Sequence, residues 1–167
     1  MHAGNDITVH RHTVGISDMF ISSDSRAEII THALGSCVGV TAYDPATHVG
    51  GLIHIMLPLS KLSPEKAQNN PLMFVDTGIP LFFKALFAKG ASRQNLQIKV
   101  AGGALLIDPE KHFKIGERNY IVLRKLLWKN DLLISAEDVG GNKSRTMSLF
   151  LESGKVIVKS QSGEREL

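Results

Sequence analysis

The chain has 167 residues, 43% hydrophobic and 21% charged, with a formal net charge of +3, a balance that excludes a wholly disordered chain. Aromatics make up 6%, and the one locally basic stretch, GNKSR at 141–145, is expected to be solvated surface, so a base-stacking nucleic-acid platform is not expected. A single cysteine, Cys37, cannot form an internal disulfide and gives no sign of an oxidising compartment.

Residues 1–13 read as a flexible polar arm ahead of one domain at 14–167. The start, MHAGNDITVHRHTVG, lacks the apolar core of a signal peptide, and no run approaches the roughly 20 residues that cross a bilayer. A cytoplasmic protein without membrane insertion is expected. HRH at 10–12 has ligand-type side chains but no matching Cys or carboxylate cluster, so no metal site is expected.

MFISS and AEIITHA carry the β-branched residues of short strands. CVGVTAYDPATHVGGLIHIMLP, 37–58, holds two β-rich runs around Asp44-Pro45 and reads as a hairpin. A polar loop with Pro58, Pro64 and Pro71 follows. Ile79, Phe82, Phe83, Leu86 and Phe87 then repeat at helical spacing, with Thr77 as N-cap, Pro80 in the first turn and Gly90 as the stop. LQIKVA is a strand running into the small-residue corner AGGA at 101–104. A second helix is expected at 116–129, with Val122, Leu123, Leu126 and Leu127 on its inner side. LLISAED is a strand, and TMSLFLESGKVIVKSQ closes as a hairpin turned at Ser153-Gly154. Hairpins outnumber βαβ crossovers, which predicts an α+β fold with the helices packed outside the sheets.

The first hairpin suggests a chemistry. With a four-residue loop from Asp44 to Thr47, Tyr43 pairs with His48 and Cys37 lies directly opposite His54 on one face. A six-residue loop shifts the register by two and keeps the pair diagonal on that face, whereas an odd loop separates them. Gly35, Ser36 and Gly39 leave room around the sulfur. A thiol beside an imidazole is what nucleophilic cysteine chemistry needs, because the histidine moves the proton and favours the thiolate. The plain alternative, a small core hydrophobe and a satisfied core histidine, stays open. GSCVG also has the form of a hydrolase nucleophile elbow, but a β-rich run follows it where the elbow needs a helix. Strand alternation turns Ser36 away from the shared face.

THALGSCVGV, GGLIHIMLP, KVAGGA, IGERN and AEDVGGNKSRTM, in this order over about residues 14–160, resemble the CheD family of chemoreceptor glutamine deamidases. The resemblance implies layered mixed β-sheets with outer helices, similar to the cytotoxic necrotizing factor deamidases, and hydrolysis of receptor glutamine side chains to glutamate without a cofactor or metal. It implies methyl-accepting chemotaxis receptors as substrate and a CheC phosphatase as a further partner. Its catalytic cysteine and histidine match Cys37 and His54. Its threonine, six residues before the cysteine, is Thr31, whose hydroxyl can accept an imidazole N–H and fix the tautomer. Gly35 and Ser36 are candidates near the oxyanion, and Gly102, Gly103, Gly140, Gly141 and Asn142 for loops beside the site. Leu105, Leu106 and Ile107 stand where the family often has a Met-Phe pair. The alternatives are a CheD-like adaptor that regulates a CheC-type phosphatase with little catalysis, and a hydrolase of another amide or ester.

Overall fold

The structure, a computed structural model, describes residues 8–106 and 113–167; Ile107 and the first seven residues lie outside it. Its strands are β1 (His10–Thr13), β2 (Asp18–Ser22), β3 (Ala27–Leu34), β4 (Val38–Asp44), β5 (Val49–Ile55), β6 (Gln97–Gly102), β7 (Ile134–Val139), β8 (Arg145–Phe150), β9 (Lys155–Ser160) and β10 (Gly163–Glu166). Its helices are α1 (Pro64–Asn69), α2 (Val75–Ala88) and α3 (Ile115–Lys129). The first sheet runs β1-β3-β8-β9-β10 and the second β2-β5-β4-β6-β7. Both are mixed, with β1–β3 and β6–β7 parallel and the other pairs antiparallel. This is the α+β layered fold expected.

Side-chain alternation sorts the core into two layers. Val38, Val40, Ala42, Ile53 and Ile55 face α2 and α3, meeting Ile79, Phe82, Leu86, Leu123 and Leu127. The opposite face of the second sheet, with Tyr43, Leu52 and Ala101, packs on Ile29, Leu34, Met147 and Leu149 of the first sheet. Burying one such Leu, Ile or Phe contributes about 1.5–3 kcal/mol, so both layers hold the sheets in register. No helix among the described residues is long and apolar enough to cross a membrane.

The structure corrects several expectations. The β4–β5 loop does contain four residues, but they are Pro45–His48, because Asp44 pairs with Val49. The Asp44 carboxylate accepts from Ala46 N at 2.8 Å and Ser92 N at 2.7 Å, which holds Asp44 in the strand. His48, at φ 57°, closes the turn in the left-handed region. The register therefore moves by two, and Gly39, not Cys37, pairs with His54.

Residues 10–13 of the expected arm form β1, an edge strand fixed by polar side chains that give no apolar signal. Arg11 Nε donates to Glu28 at 2.8 Å, His10 Nδ1 lies 2.7 Å from the Asp24 carboxylate, and His12 stacks on Phe20. Helix α2 begins at Val75, so Thr77 is no N-cap and Pro80 lies beyond the first turn. The Thr77 hydroxyl donates instead to Pro71 O at 2.6 Å, while Asp76 accepts from Ser60 N and Oγ, both at 2.8 Å. Helix α1 and strand β10 were not anticipated. Arg145 of the basic stretch is not solvated: it is buried against Asp138, 3.0 Å away, where it ties β8 of one sheet to β7 of the other.

Candidate active site

The two sheets meet face to face where β3 and β5 carry a threonine and a histidine. His54 shares the inner face of β5 with Leu52, and Thr31 follows Ile29 on the inner face of β3; both are fully buried. Thr31 Oγ1 lies 2.7 Å from His54 Nδ1 and donates to Val14 O, also at 2.7 Å. A hydroxyl has one proton. That proton is committed to Val14, so the oxygen accepts from His54, and Nδ1 must be the protonated nitrogen. Nε2 is left with a free lone pair, and it has no hydrogen-bond partner among the described residues. The backbone of His54 is also held: its carbonyl accepts from Ser17 N at 2.9 Å, and it pairs with Asp18 of β2.

Burial lowers the His54 pKa from 6.5 to about 4, because the imidazolium would lose its hydration. Burial likewise pushes the Cys37 thiol up, partly offset by its own backbone N–H. At neutral pH the two groups are therefore a thiol and a neutral imidazole whose basic nitrogen is buried and unpaired among the described residues.

Cys37 is half-buried just before β4 and packs against the layer between the sheets. It lies two positions before Gly39, the partner of His54, and one residue outside the β4–β5 ladder. A Cβ on Gly39 would come 2.8 Å from the Leu34 side chain and 3.2 Å from the Met147 sulfur, so glycine keeps this face of the strand close to the first sheet.

The exit of β6 clamps the cysteine. Gly103 N donates to Cys37 O and Ala104 N to Gly35 O, both at 2.9 Å. Gly102 adopts φ 107°, and a Cβ there would collide with the Cys37 carbonyl oxygen, so both its conformation and its neighbour require glycine. The next loop backs this corner: Gly140 N donates to Gly102 O and Leu105 N to Gly141 O, each at 2.9 Å. Thus Gly102, Gly103, Gly140 and Gly141 are brought together around the Cys37 backbone. Asn142 is exposed at the turn, and its side chain makes no hydrogen bond to the site among the described residues. The Gly35 N–H is spent on Ala33 O at 3.0 Å, which removes it from any role as a donor to substrate.

One buried side chain at the site escaped the sequence reading. Asn119 of α3 is fully buried, and its Nδ2 donates to Ser36 O at 3.0 Å and to Met56 O at 3.1 Å. A signal for it existed. Asn119 falls in line, four residues apart, with the buried Leu123 and Leu127, and an amide in an apolar stripe needs polar partners.

Around the cysteine end of the second sheet the surface is apolar. Ile16 leads into β2, Met56 leaves β5, Leu105 and Leu106 leave β6, and Phe113 leads into α3; all five are exposed. Leu106 also covers Gly35. The cavity of about 330 Å³ lined by Ile79, Phe83 and Leu126 lies on the other, helical face of this sheet.

Residues 56–160 match the family described as CheD chemotactic sensory transduction. The chain is 49% identical over 155 residues to the probable chemoreceptor glutamine deamidase CheD 1 of Syntrophus aciditrophicus (strain SB), covering 92% of this chain and 97% of that one. It is 48% identical over 148 residues to the probable chemoreceptor glutamine deamidase CheD 2 of Anaeromyxobacter dehalogenans (strain 2CP-C), covering 89% and 93%. The probable chemoreceptor glutamine deamidase CheD of Solibacter usitatus (strain Ellin6076) is 42% identical over 154 residues, covering 92% and 91%.

Proposed function

The chain belongs to the CheD family, and from that premise we propose that it is a protein-glutamine glutaminase that deamidates glutamine side chains of chemoreceptors, with Cys37 as nucleophile. The observation that carries this reading is the buried His54, neutral, locked by Thr31 with Nε2 bare, on the inter-sheet face against which Cys37 packs. A core histidine that served packing alone would have no reason to leave that nitrogen unpaired.

The reaction runs as acyl transfer. His54 Nε2 takes the Cys37 proton as Sγ attacks the side-chain carbonyl carbon, giving a tetrahedral oxyanion. The imidazolium returns the proton to the departing nitrogen, the C–N bond breaks, and ammonia leaves a γ-glutamyl thioester. His54 then takes a proton from water, whose oxygen attacks the thioester; glutamate departs and the thiol is restored. The Cys37 N–H, with the Ser36 N–H beside it, is our candidate donor for the oxyanion. No step calls on a metal or organic cofactor.

The apolar rim of Ile16, Met56, Leu105, Leu106 and Phe113 favours a glutamine presented on a protein surface over free glutamine, which has no apolar area to bury there. A CheC-type phosphatase, the other partner that the family resemblance implies, competes for this rim in our reading.

The test is incubation with receptor cytoplasmic fragments and mass spectrometry for the gain of about one dalton per Gln-to-Glu conversion. Wild type converts specific glutamines, and Cys37→Ala converts none. Equal conversion by both overturns the nucleophile assignment. No conversion by wild type on any fragment, together with tight binding of a CheC-type phosphatase, replaces the enzyme reading with that of an adaptor.

A further inference from the structure

We propose that Asn119 is a positioning residue that sets the distance between nucleophile and base, acting through one amide nitrogen that grips the backbone on both sides of the pair. The proposal rests on the assignment of Cys37 and His54 above.

Ser36 immediately precedes Cys37, and Met56 follows His54 by two residues. Both carbonyls accept from the same Asn119 Nδ2, at 3.0 and 3.1 Å. The two protons of a planar amide diverge at a fixed angle, so the nitrogen defines where both carbonyl oxygens stand. The β4–β5 ladder ends at Val38 and Ile55, two residues short of the Ser36 carbonyl and one short of the Met56 carbonyl. Past that point no strand pairing keeps the cysteine segment in register with the histidine strand, and Asn119 supplies the missing cross-link.

The helix that carries it is itself seated on the site. Gly116, one turn earlier on α3, lies so close that a Cβ would collide with Ala104 O and the Gly103 carbonyl. These are the residues whose amides hold Gly35 and Cys37. The α3 start, the β6 corner and the cysteine segment therefore form one unit.

Asn119 Oδ1 is buried and has no hydrogen-bond partner among the described residues, which argues against a purely structural placement. A side chain kept for stability would satisfy both ends of its amide, or be apolar like Leu123 and Leu127. The nitrogen is retained although its oxygen is left without a partner.

The experiment uses the full chain and two readouts: steady-state deamidation of receptor fragments, and the pH dependence of iodoacetamide alkylation of Cys37, the only thiol. Asn119→Ser can reach one carbonyl but not both, and Asn119→Asp turns the donor into an acceptor. Leu127→Ala, in the same buried stripe, is the control for loosening α3 without touching either carbonyl. Asn119→Ser is expected to lower kcat 10- to 100-fold with KM within twofold, and both Asn119 variants to alter the alkylation profile while Leu127→Ala leaves it unchanged. If the Asn119 variants that fold give the profile of Leu127→Ala, or if neither variant folds while Leu127→Ala does, the residue is structural and the proposal is overturned. Should wild type fail to deamidate while the alkylation profile still responds to Asn119, the deamidase reading falls and the positioning role stands.

Discussion

Thr31→Val tests the tautomer argument directly, because it replaces one hydroxyl by a methyl and opens no cavity. Two buried groups lose their partner: the Val14 carbonyl and the His54 Nδ1–H, both now bonded at 2.7 Å. A buried polar group left unpaired costs about 1–3 kcal/mol, so the variant should lose about 2–6 kcal/mol of stability by urea titration. The chemical effect is separate from the thermodynamic one. Without the acceptor at Nδ1 the imidazole proton is free to sit on Nε2, where the ring can no longer accept from Cys37. General-base catalysis is worth about 10²–10⁴ in rate, and partial loss of the correct tautomer should cost about 10- to 100-fold in kcat. Nitrogen-15 NMR of the imidazole reads the tautomer independently: Nδ1–H only in wild type, a mixture in Thr31→Val. A folded variant with kcat within twofold of wild type and an unchanged tautomer would refute the reasoning.

The depressed pKa of His54 predicts a pH-dependent stability. Above pH 6.5 the ring is neutral in both folded and unfolded chains; as pH falls toward 4 the unfolded chain takes up a proton that the folded one refuses. Stability is thus present above pH 6.5 and lost below it, by up to about 3 kcal/mol at 1.36 kcal/mol per pKa unit. Urea melts from pH 7 to 4 should show this slope in wild type and not in His54→Gln; equal slopes would remove burial as the cause. The acid limb of the deamidation rate should fall near pH 4 and not near pH 6.5. Gly102→Ala should abolish most activity and lower Tm, since it combines an unfavourable φ with collision against the Cys37 carbonyl. Gly140→Ala has a similar φ, 77°, but nothing within 4 Å; it bears only the backbone strain of about 1–3 kcal/mol and should keep its kcat. Matching kcat losses in the two variants would show that the close approach to Cys37 is unimportant.

The hairpin shows how much of the site could be read from local pattern. Period-two alternation puts Cys37 and His54 on one face for any even register, so their relation survives the two-residue shift. The shift itself came from Asp44, whose carboxylate finds Ser92 N, a partner 48 residues away that no turn rule contains. The helical spacing from Ile79 to Phe87 located α2, yet its start depended on Leu57 O receiving Val75 N and on where Asp76 and Thr77 found partners.

The residues were thus in hand from sequence: a lone thiol, a histidine 17 residues on that any even-length loop returns to the same face, and an α+β pattern of strands with two amphipathic helices outside them. Thr31 entered only through family resemblance, because it lies on the other sheet and the packing of one sheet on another leaves no trace in strand alternation. Asn119, within IGERN, shows no role locally, since its partners, Ser36 and Met56, lie 83 and 63 residues away. Periodicity reports which face of an element is buried. Which polar groups meet across the buried layers is decided only when the sheets and α3 pack, because a buried donor must find its acceptor there and no water competes for it.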